Sequence, residues 1–189
     1  MKIINARKED APLIARSIMD AVGQEICLGL AGEHHTLGDV EHLFTVLAAR
    51  EDSQYSYLNT QVAVLDDGEA IGVCIGYDGA RLSPLREAFF EEAARLMGIE
   101  MGDIDDETES GEFYIDTLAV LPEYRGQGVA SALLKAAVER ASAIGKPAGL
   151  LVDKENGKAR RLYEKVGFRQ VGERPFCYVM MDHLQFAGE

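Results

Sequence analysis

The sequence predicts a mixed α/β fold in which helices cover the faces of one sheet. Runs rich in β-branched and aromatic residues alternate with helical stripes of apolar residues, in the order β-α-α-β-β-α-β-α-β-α-β-β. A turn signal joins two of the β-rich runs into a hairpin. Neither an internal repeat nor a low-complexity linker interrupts the 189 residues, so we expect a single domain over residues 1–189.

The first half of the chain begins with one short strand and two helices. Lys2–Asn5 has the apolar, β-branched composition of a strand. Apolar residues at intervals of three and four predict a helix over Asp10–Val22, with Gly23 as its end, and a second helix over Gly38–Arg50.

A hairpin and a third helix complete that half. Asp66–Glu69 is a turn signal between the strands predicted over Leu58–Leu65 and Ala70–Tyr77. Ser83–Met97 is predicted as a helix because proline lies in its first turn and glycine follows its last residue. Ile99–Glu112 is then expected to be a loop rich in aspartate and glutamate.

Strands and helices alternate through the second half. The predicted elements are, in order, strand Glu112–Leu121, helix Gln127–Ile144, strand Gly149–Val152, helix Asn156–Val166, and strands Phe168–Val171 and Phe176–Met181 around a turn at Gly172–Pro175.

Composition excludes several classes of protein. The net charge of −13 is unsuited to general binding of the phosphate backbone, so we expect no nucleic-acid partner. There is no apolar run of about 18 residues, so no membrane span is expected. Met1–Asp10 becomes charged too early for a signal peptide, which indicates a cytoplasmic protein.

The spacing of cysteine and histidine does not match a metal site or a disulfide framework. We expect the three cysteines to be small buried apolar residues: Cys27, Cys74 and Cys177. No HExxH pairing occurs, and three histidines are expected in loops or on helix faces: His34, His35 and His42. No metal is therefore expected.

A glycine-rich segment between a predicted strand and a predicted helix is the strongest chemical signal. Gly126 and Gly128 leave the first N–H groups of the helix accessible to an anion, and Arg125 adds a positive charge. The pattern lacks the Gly-Lys-Ser/Thr of a Walker loop. It also departs from the dinucleotide fingerprint, because Ser131 stands at the third glycine position. Taken alone, it is equally compatible with a plain strand–helix connection.

Two blocks of sequence resemble the GNAT superfamily of N-acetyltransferases. Arg125–Ala130 matches its Arg/Gln-x-x-Gly-x-Gly/Ala motif, after the strand end Leu118–Pro122. Asn156, followed by Ala159–Phe168, is similar to the family's Asn…Ala-x-x-Leu-Tyr-x-Lys-x-Gly-Phe block. The resemblance implies a twisted, mostly antiparallel sheet with splayed central strands. The helix and acidic loop between strands 3 and 4 would then be an addition to the simple pattern.

The resemblance also implies a binding site for acetyl-CoA. The pyrophosphate would bind the N–H groups of the glycine-rich loop, and the pantetheine arm would pair with the preceding strand end. Asn156 would bond the arm, and Ala159 would permit its close approach. The full set of implied cofactor-binding residues is Leu118, Ala119, Val120, Arg125, Gly126, Gln127, Gly128, Val129, Ala130, Asn156, Ala159 and Tyr163.

Two residues are candidates for proton transfer. Tyr163 matches the family position usually proposed as the general acid that protonates the departing thiolate; the alternative is a tyrosine packed beside Phe168. Asp116 is an acid in an otherwise apolar strand, where a lone carboxylate is costly to bury. Strand alternation would place it on one face with Tyr114, Leu118 and Val120. It is predicted to act as the base or to orient the amine, the alternatives being an ion pair or a cap; Glu112 is a weaker candidate.

The charge is distributed unevenly. Residues 1–112 hold 8 basic and 23 acidic residues, and residues 113–189 hold 11 basic and 9 acidic ones. The half expected to bind the polyanionic cosubstrate is thus relatively basic, and Arg160 and Arg161 are candidates to reach its phosphates. The acidic residues of the 99–112 loop suggest a cationic acceptor such as a polyamine, an aminoglycoside or a basic peptide, unless they form a solvated loop.

The leading prediction is therefore an acetyl-CoA-dependent N-acetyltransferase that acts on a small-molecule or peptide amine by direct attack. One alternative is a non-catalytic acyl-CoA sensor or interaction module. Another is a nucleotide-binding enzyme in which Asp153 would bind a ribose, although one βαβ unit is visible where that fold needs two. A homodimer formed through the strand Phe176–Met181 would be compatible with the family.

Overall fold

The computed structural model describes residues 1–100, 102, 104–176 and 179–188. Seven strands and six α-helices make up the described part of the chain. They are β1 (Lys2–Asn5), α1 (Ala11–Val22), α2 (Gln24–Ala31), α3 (Leu37–Ala49), β2 (Thr60–Val64), β3 (Ala70–Asp78), α4 (Leu82–Met97), β4 (Phe113–Val120), α5 (Val129–Ala143), β5 (Ala148–Val152), α6 (Gly157–Val166), β6 (Phe168–Phe176) and β7 (Val179–Phe186).

The strands form one sheet in the order β1-β2-β3-β4-β5-β7-β6. Every neighbouring pair is antiparallel except β4 and β5, which run parallel. The predicted turn after β2 is confirmed: the N–H of Leu65 donates to the carbonyl of Glu69 at 2.8 Å, and Gly68 has a φ of 94°. The predicted mostly antiparallel sheet, with a helix and loop inserted between its third and fourth strands, is also confirmed.

Two apolar cores cover the two faces of the sheet. One joins helices α1, α3 and α4 to the sheet, with Ile14, Leu43 and Val73 fully buried. The other joins α5 and α6 to the opposite face, with Leu133 and Phe168 fully buried. Burying these side chains supplies most of the driving force for folding, and it fixes α5 against the strands that precede and follow it.

The parallel strands β4 and β5 separate soon after they meet. Their described pairing is limited to Phe113 with Ala148 and Tyr114 with Gly149, although β4 continues to Val120. The sheet therefore opens along the second half of β4. The predicted splaying of the central strands is confirmed.

Three details of the predicted elements are wrong. The sequence interpretation missed α2, because Gly23 is both the end of α1 and the N-cap of α2. Gly172–Pro175 is not a turn: it lies inside β6, where Gly172 adjoins a register shift and Pro175 pairs with Met180. The residues predicted as one strand, Phe176–Met181, are divided between the end of β6 and the start of β7. The edge strand of the sheet is β6. Cys177 and Tyr178 lie outside the described residues.

Candidate active site

The opening between β4 and β5 exposes main-chain groups of β4. Leu121 donates its N–H to the carbonyl of Ile71 at 3.0 Å, so Leu121 directs its main-chain groups toward β3. Because these groups alternate in direction along a strand, those of Ala119 also face β3 and those of Leu118 and Val120 face the opening. The Val120 carbonyl accepts a hydrogen bond from Arg125 Nε at 2.9 Å. Leu118 and Val120 are thus the residues of this strand end whose main-chain groups face the opening, the Val120 carbonyl being bonded to Arg125.

The N-terminus of α5 lies directly after this strand end. Gly128 is the N-cap of α5 with a φ of 84°, and Gly126 has a φ of 78°. Both conformations disfavour residues with a side chain, and both glycines are exposed. The N–H groups of Val129 and Ala130 belong to the first turn, where the helix itself supplies no acceptor. An accessible cluster of donors, at the positive end of the helix dipole, therefore adjoins the opening.

Asp116 lies at an irregularity in β4. Ile115 pairs with Gly76 and Thr117 pairs with Ile75, so Asp116 is an extra residue between two paired positions. Such a bulge reverses the alternation of side chains along the strand. Tyr114, Asp116, Leu118 and Val120 were predicted to share one face; this is wrong, because Tyr114 packs with Tyr77, whereas Leu118 and Val120 pack on the α5 side.

The Asp116 carboxylate is half-buried and receives hydrogen bonds from three side chains. Thr117 Oγ1 donates at 2.8 Å, the Tyr77 hydroxyl at 3.2 Å and Gln54 Nε2 at 3.4 Å. Its pKa is raised to about 6, mainly because burial disfavours the charged form and secondly because Glu107 is negatively charged; the three hydrogen bonds offset part of this rise. Asp116 can therefore gain or lose a proton close to neutral pH.

Glu107 is a second carboxylate beside Asp116. It is 2% exposed, and its Oε1 accepts hydrogen bonds from the Tyr77 hydroxyl at 3.1 Å and from Gln54 Nε2 at 3.4 Å. Its Oε2 forms an ion pair with Arg86 of α4. Gln54 thus bridges the two carboxylates, and the single proton of the Tyr77 hydroxyl lies within hydrogen-bond distance of both. The sequence left two alternatives for this acidic loop, a solvated loop or a wall of the acceptor cleft, and it did not indicate that Glu107 and Thr108 are buried.

Tyr163 lies on α6 with its ring against Phe168, at 6.2 Å between ring centroids. Burial raises its pKa to about 12, and the Cys74 thiol contributes to the rise. The same thiol interacts electrostatically with Asp116, and Cys74 is paired with Leu118 in the β3–β4 register. Tyr163 packs with Cys74 in the core on the α5 side, and Asp116 lies in β4 two residues before Leu118, the partner of Cys74. The Tyr163 hydroxyl has no hydrogen-bond partner among the residues that the structure describes.

Comparison with known proteins identifies the family. Residues 32–168 match the model of the "Acetyltransferase (GNAT) family". The chain belongs to the GNAT family of acetyltransferases. Its predicted resemblance to that superfamily is therefore confirmed. No curated protein matches the chain.

Several solved structures share the GNAT fold of this protein. An acetyltransferase crystal structure is 30% identical, with a TM-score of 0.79, over 98% of each chain. An N-acetyltransferase from Staphylococcus aureus Mu50 is 23% identical, with a TM-score of 0.76, over 98% of this chain and 100% of the other. A Corynebacterium glutamicum structure described as histone acetyltransferase HPA2 and related acetyltransferase is 19% identical, with a TM-score of 0.67, over 100% and 96%.

Residues of the second GNAT sequence block also make contacts that stabilise the fold. Asn156 is the N-cap of α6, where its Oδ1 accepts a hydrogen bond from the Ala159 N–H at 3.1 Å. Ala159 is half-buried against the α5 core. Arg160, one of the predicted phosphate-binding candidates, is engaged with Glu164 at 2.9 Å and with Asp182. Asn156 and Arg161 are both exposed, as are Glu164 and Lys165 of the same block.

Glu112 belongs to a separate buried network in this GNAT protein. It is 2% exposed and contacts His183 Nε2 at 2.8 Å, Thr108 Oγ1 at 2.7 Å and Gln185 Nε2 at 2.9 Å. Burial alone would raise its pKa, but the hydrogen bonds from His183, Thr108 and Gln185 outweigh it, and the pKa is lowered. A Cβ on Gly149 would lie 2.0 Å from Glu112 Oε2, so the carboxylate is wedged beneath β5. Asp116 is thus better suited than Glu112 to accept a proton.

The remaining predictions concern the cysteines, metal binding and membrane-spanning helices. Cys27 and Cys74 are buried free thiols as expected, whereas Cys177 lies outside the described residues. In those residues no cluster of three or more histidine, cysteine or acidic side chains is arranged to hold a metal ion. Within the same ranges, no helix is both long and apolar enough to cross a bilayer.

Proposed function

We propose that this GNAT protein transfers the acetyl group of acetyl-CoA to a primary amine by direct attack. The observation that carries the proposal is the opening along β4, which leads from the Asp116 bulge to the N-terminus of α5. Main-chain groups along one side of this opening can pair with an extended, amide-containing arm. The helix N-terminus at its end supplies donors for a diphosphate.

Acetyl-CoA has both of these chemical features. Its pantetheine arm carries two amides that the main chain of Leu118 and Val120 is oriented to meet, and the Asn156 amide group is positioned beyond β5. Its pyrophosphate would bind the N–H groups from Arg125 to Ala130. With the phosphates at α5, the thioester would extend back along β4 toward Asp116, on the side of the sheet where Tyr163 packs near Leu118.

Asp116 and Tyr163 have complementary roles in this proposal. A carboxylate with a pKa of about 6 is mostly ionised at pH 7, and it can accept the proton that the amine nitrogen loses as it bonds to the thioester carbon. A phenol with a pKa of about 12 retains its proton at neutral pH. It can therefore give that proton to the sulfur as the sulfur leaves.

The transfer balances without a further reagent. The amine nitrogen forms a bond to the thioester carbonyl carbon, and the carbon–sulfur bond breaks. The sulfur leaves with the bonding electrons and takes the Tyr163 proton, while the amine gives a proton to Asp116. Exchange with water then restores both side chains.

Two measurements test the proposal. Calorimetry should show binding of acetyl-CoA and no binding of NAD, because the loop departs from the dinucleotide fingerprint. Release of free CoA thiol should then depend on the presence of a primary amine. Binding of acetyl-CoA without thiol release across a broad amine panel would instead support an acyl-CoA sensor. Absence of acetyl-CoA binding would refute the proposal.

A further inference from the structure

A cavity of about 450 Å³ lies beside the Asp116 cluster and plays no part in cosubstrate binding as proposed above. Its wall is mainly apolar and comes from α1, α2, α3, α4, the following loop and the end of β6. The described lining residues that matter here are the aromatic side chains Phe44, Tyr55, Phe89 and Phe176 and the aliphatic side chains Ile26, Leu30 and Ile104. A volume of this size is typical of small-molecule sites.

Polar groups enter this cavity from the Asp116 cluster. Gln54, Arg86 and Glu107 all line it. Gln54 and Glu107 are bonded to each other at 3.4 Å, and Gln54 also reaches Asp116 at 3.4 Å. Gln54 is therefore a buried side chain that both lines the cavity and contacts Asp116, the proposed base.

Gln54 has an unsatisfied acceptor. The side chain is 4% exposed, and its Nε2 is directed at the two carboxylates, whereas its Oε1 has no hydrogen-bond partner among the described residues. A buried carbonyl oxygen without a donor costs about 1–3 kcal/mol. A ligand that carries an N–H group would remove this cost, and an amine beside Asp116 carries one.

The charges around Gln54 are suited to one positive charge. Asp116 and Glu107 bring two negative charges, and the ion pair with Arg86 neutralises one of them. The neighbouring Asp106 is bound to Arg86 at 2.9 Å, and Glu109 to Arg174 at 3.1 Å. Asp106, Glu107 and Glu109 are thus each engaged with an arginine of the chain, Asp106 and Glu107 sharing Arg86. The apolar wall offers nothing to a second ammonium group, whose burial without a partner is strongly unfavourable.

We propose that the acceptor is a primary monoamine with an apolar body, whose nitrogen binds Gln54 Oε1 beside Asp116 and whose body fills the cavity. This inference rests on the proposed function and replaces the expected polycation with a different substrate class. Aromatic and branched aliphatic amines fit it, because the aromatic wall offers ring edges and faces. Phe44 and Tyr55, for example, pack edge to face at 5.3 Å between centroids.

A comparison of monoamines with polyamines as substrates tests the substrate class. With saturating acetyl-CoA, kcat/KM for 2-phenylethylamine and for isoamylamine should exceed that for 1,4-diaminobutane and for spermidine by tenfold or more. Equal or better use of the polyamines would overturn the inference while leaving acetyl transfer intact. Failure to acetylate any amine would instead count against the proposed function.

Variants of the exposed rim of the cavity provide a second test that does not threaten folding. Ile26 and Leu28 lie on α2 and are each 51% exposed, but only Ile26 is among the described cavity-lining residues. Ile26→Asp should raise KM for 2-phenylethylamine about tenfold without changing the affinity for acetyl-CoA. Leu28→Asp is the matched control and should change neither. If both variants behave alike, the cavity does not hold the acceptor.

The unsatisfied oxygen can be tested separately. Gln54→Met retains the length of the side chain but cannot accept the amine's hydrogen bond. It should raise KM for 2-phenylethylamine, and because it also removes the Nε2 hydrogen bonds to Asp116 and Glu107, circular dichroism at the assay temperature must show that the variant is folded. An unchanged KM would exclude Gln54 Oε1 as the group that binds the amine.

Discussion

The raised pKa of Asp116 should appear as the acid limb of the pH profile. With a pKa of about 6, the ionised fraction falls from about 91% at pH 7 to about 9% at pH 5, so kcat/KM should fall about tenfold over this range. An aspartate at its ordinary value of 3.8 would lose less than about a tenth of its ionised form at pH 5.

Asp116→Asn separates this effect from titration of the amine itself. The variant should lose about 10²–10⁴-fold in rate, because the amide cannot accept the proton. The ratio of wild-type to variant kcat/KM, measured by thiol release from pH 5 to pH 8 with the same amine, cancels the titration of the substrate. That ratio should rise about tenfold and level off above pH 7. A flat ratio, or a variant with the full wild-type rate, would refute Asp116 as the base.

The same variant should make the folded state more stable at neutral pH. The folded pKa of about 6 exceeds the unfolded value of 3.8, so the folded chain binds more protons between these pH values and stability falls as pH rises through them. Above pH 7 the loss reaches about 3 kcal/mol, which Asn avoids. Urea unfolding at pH 7.5 should show a gain for Asp116→Asn that shrinks toward pH 4. A loss of stability at pH 7.5 would contradict the raised pKa.

Three further substitutions test other parts of the site. Tyr163→Phe retains ring packing against Phe168 and should lower kcat about 10²-fold while calorimetry shows unchanged acetyl-CoA affinity; a full kcat would remove Tyr163 as the acid. Gly128→Ala, at a φ of 84°, should weaken acetyl-CoA binding and destabilise the fold by about 1 kcal/mol, as measured by calorimetry and urea unfolding. Gly149→Ala would place a Cβ against the Glu112 carboxylate and should lower the free energy of unfolding by about 2 kcal/mol or more. Gly172→Ala is the control, because a Cβ there meets open space and should leave the free energy of unfolding nearly unchanged.

Local signals were sufficient for most of the fold. A helical stripe closed by glycine predicted α1, a proline in the first turn and a glycine after the last residue predicted α4, and the glycine-rich motif predicted where α5 begins to within two residues. These features depend on neighbours in sequence, which is why they can be recognised there. The turn predicted at Gly172–Pro175 was wrong because glycine and proline usually mark turns. An edge strand such as β6 tolerates both residues where its register is irregular.

The active site was predictable only in part. Asp116 was identified because a carboxylate in an apolar strand is anomalous, yet the bulge that directs its side chain depends on pairing with β3. Glu107 was not recognised, because its contacts reach Tyr77, 30 residues earlier, and Gln54, 53 residues earlier. Contacts between residues so distant in sequence are set by the packing of α4 and the loop on the sheet. No local pattern specifies them.

The helix and loop inserted between β3 and β4 act on the site through contact rather than through a diffuse field. Arg86 on α4 donates to Glu107 and Asp106 and to the carbonyls of Ile104 and Asp105, at 3.2 Å for each carbonyl. One buried arginine thereby fixes the path of the loop and brings Glu107 against Asp116. A negative charge held at that position makes ionisation of Asp116 harder, which is unfavourable for stability but moves its pKa into the range where a base is effective. The insertion therefore both lines the proposed acceptor cavity and raises the pKa of the proposed base.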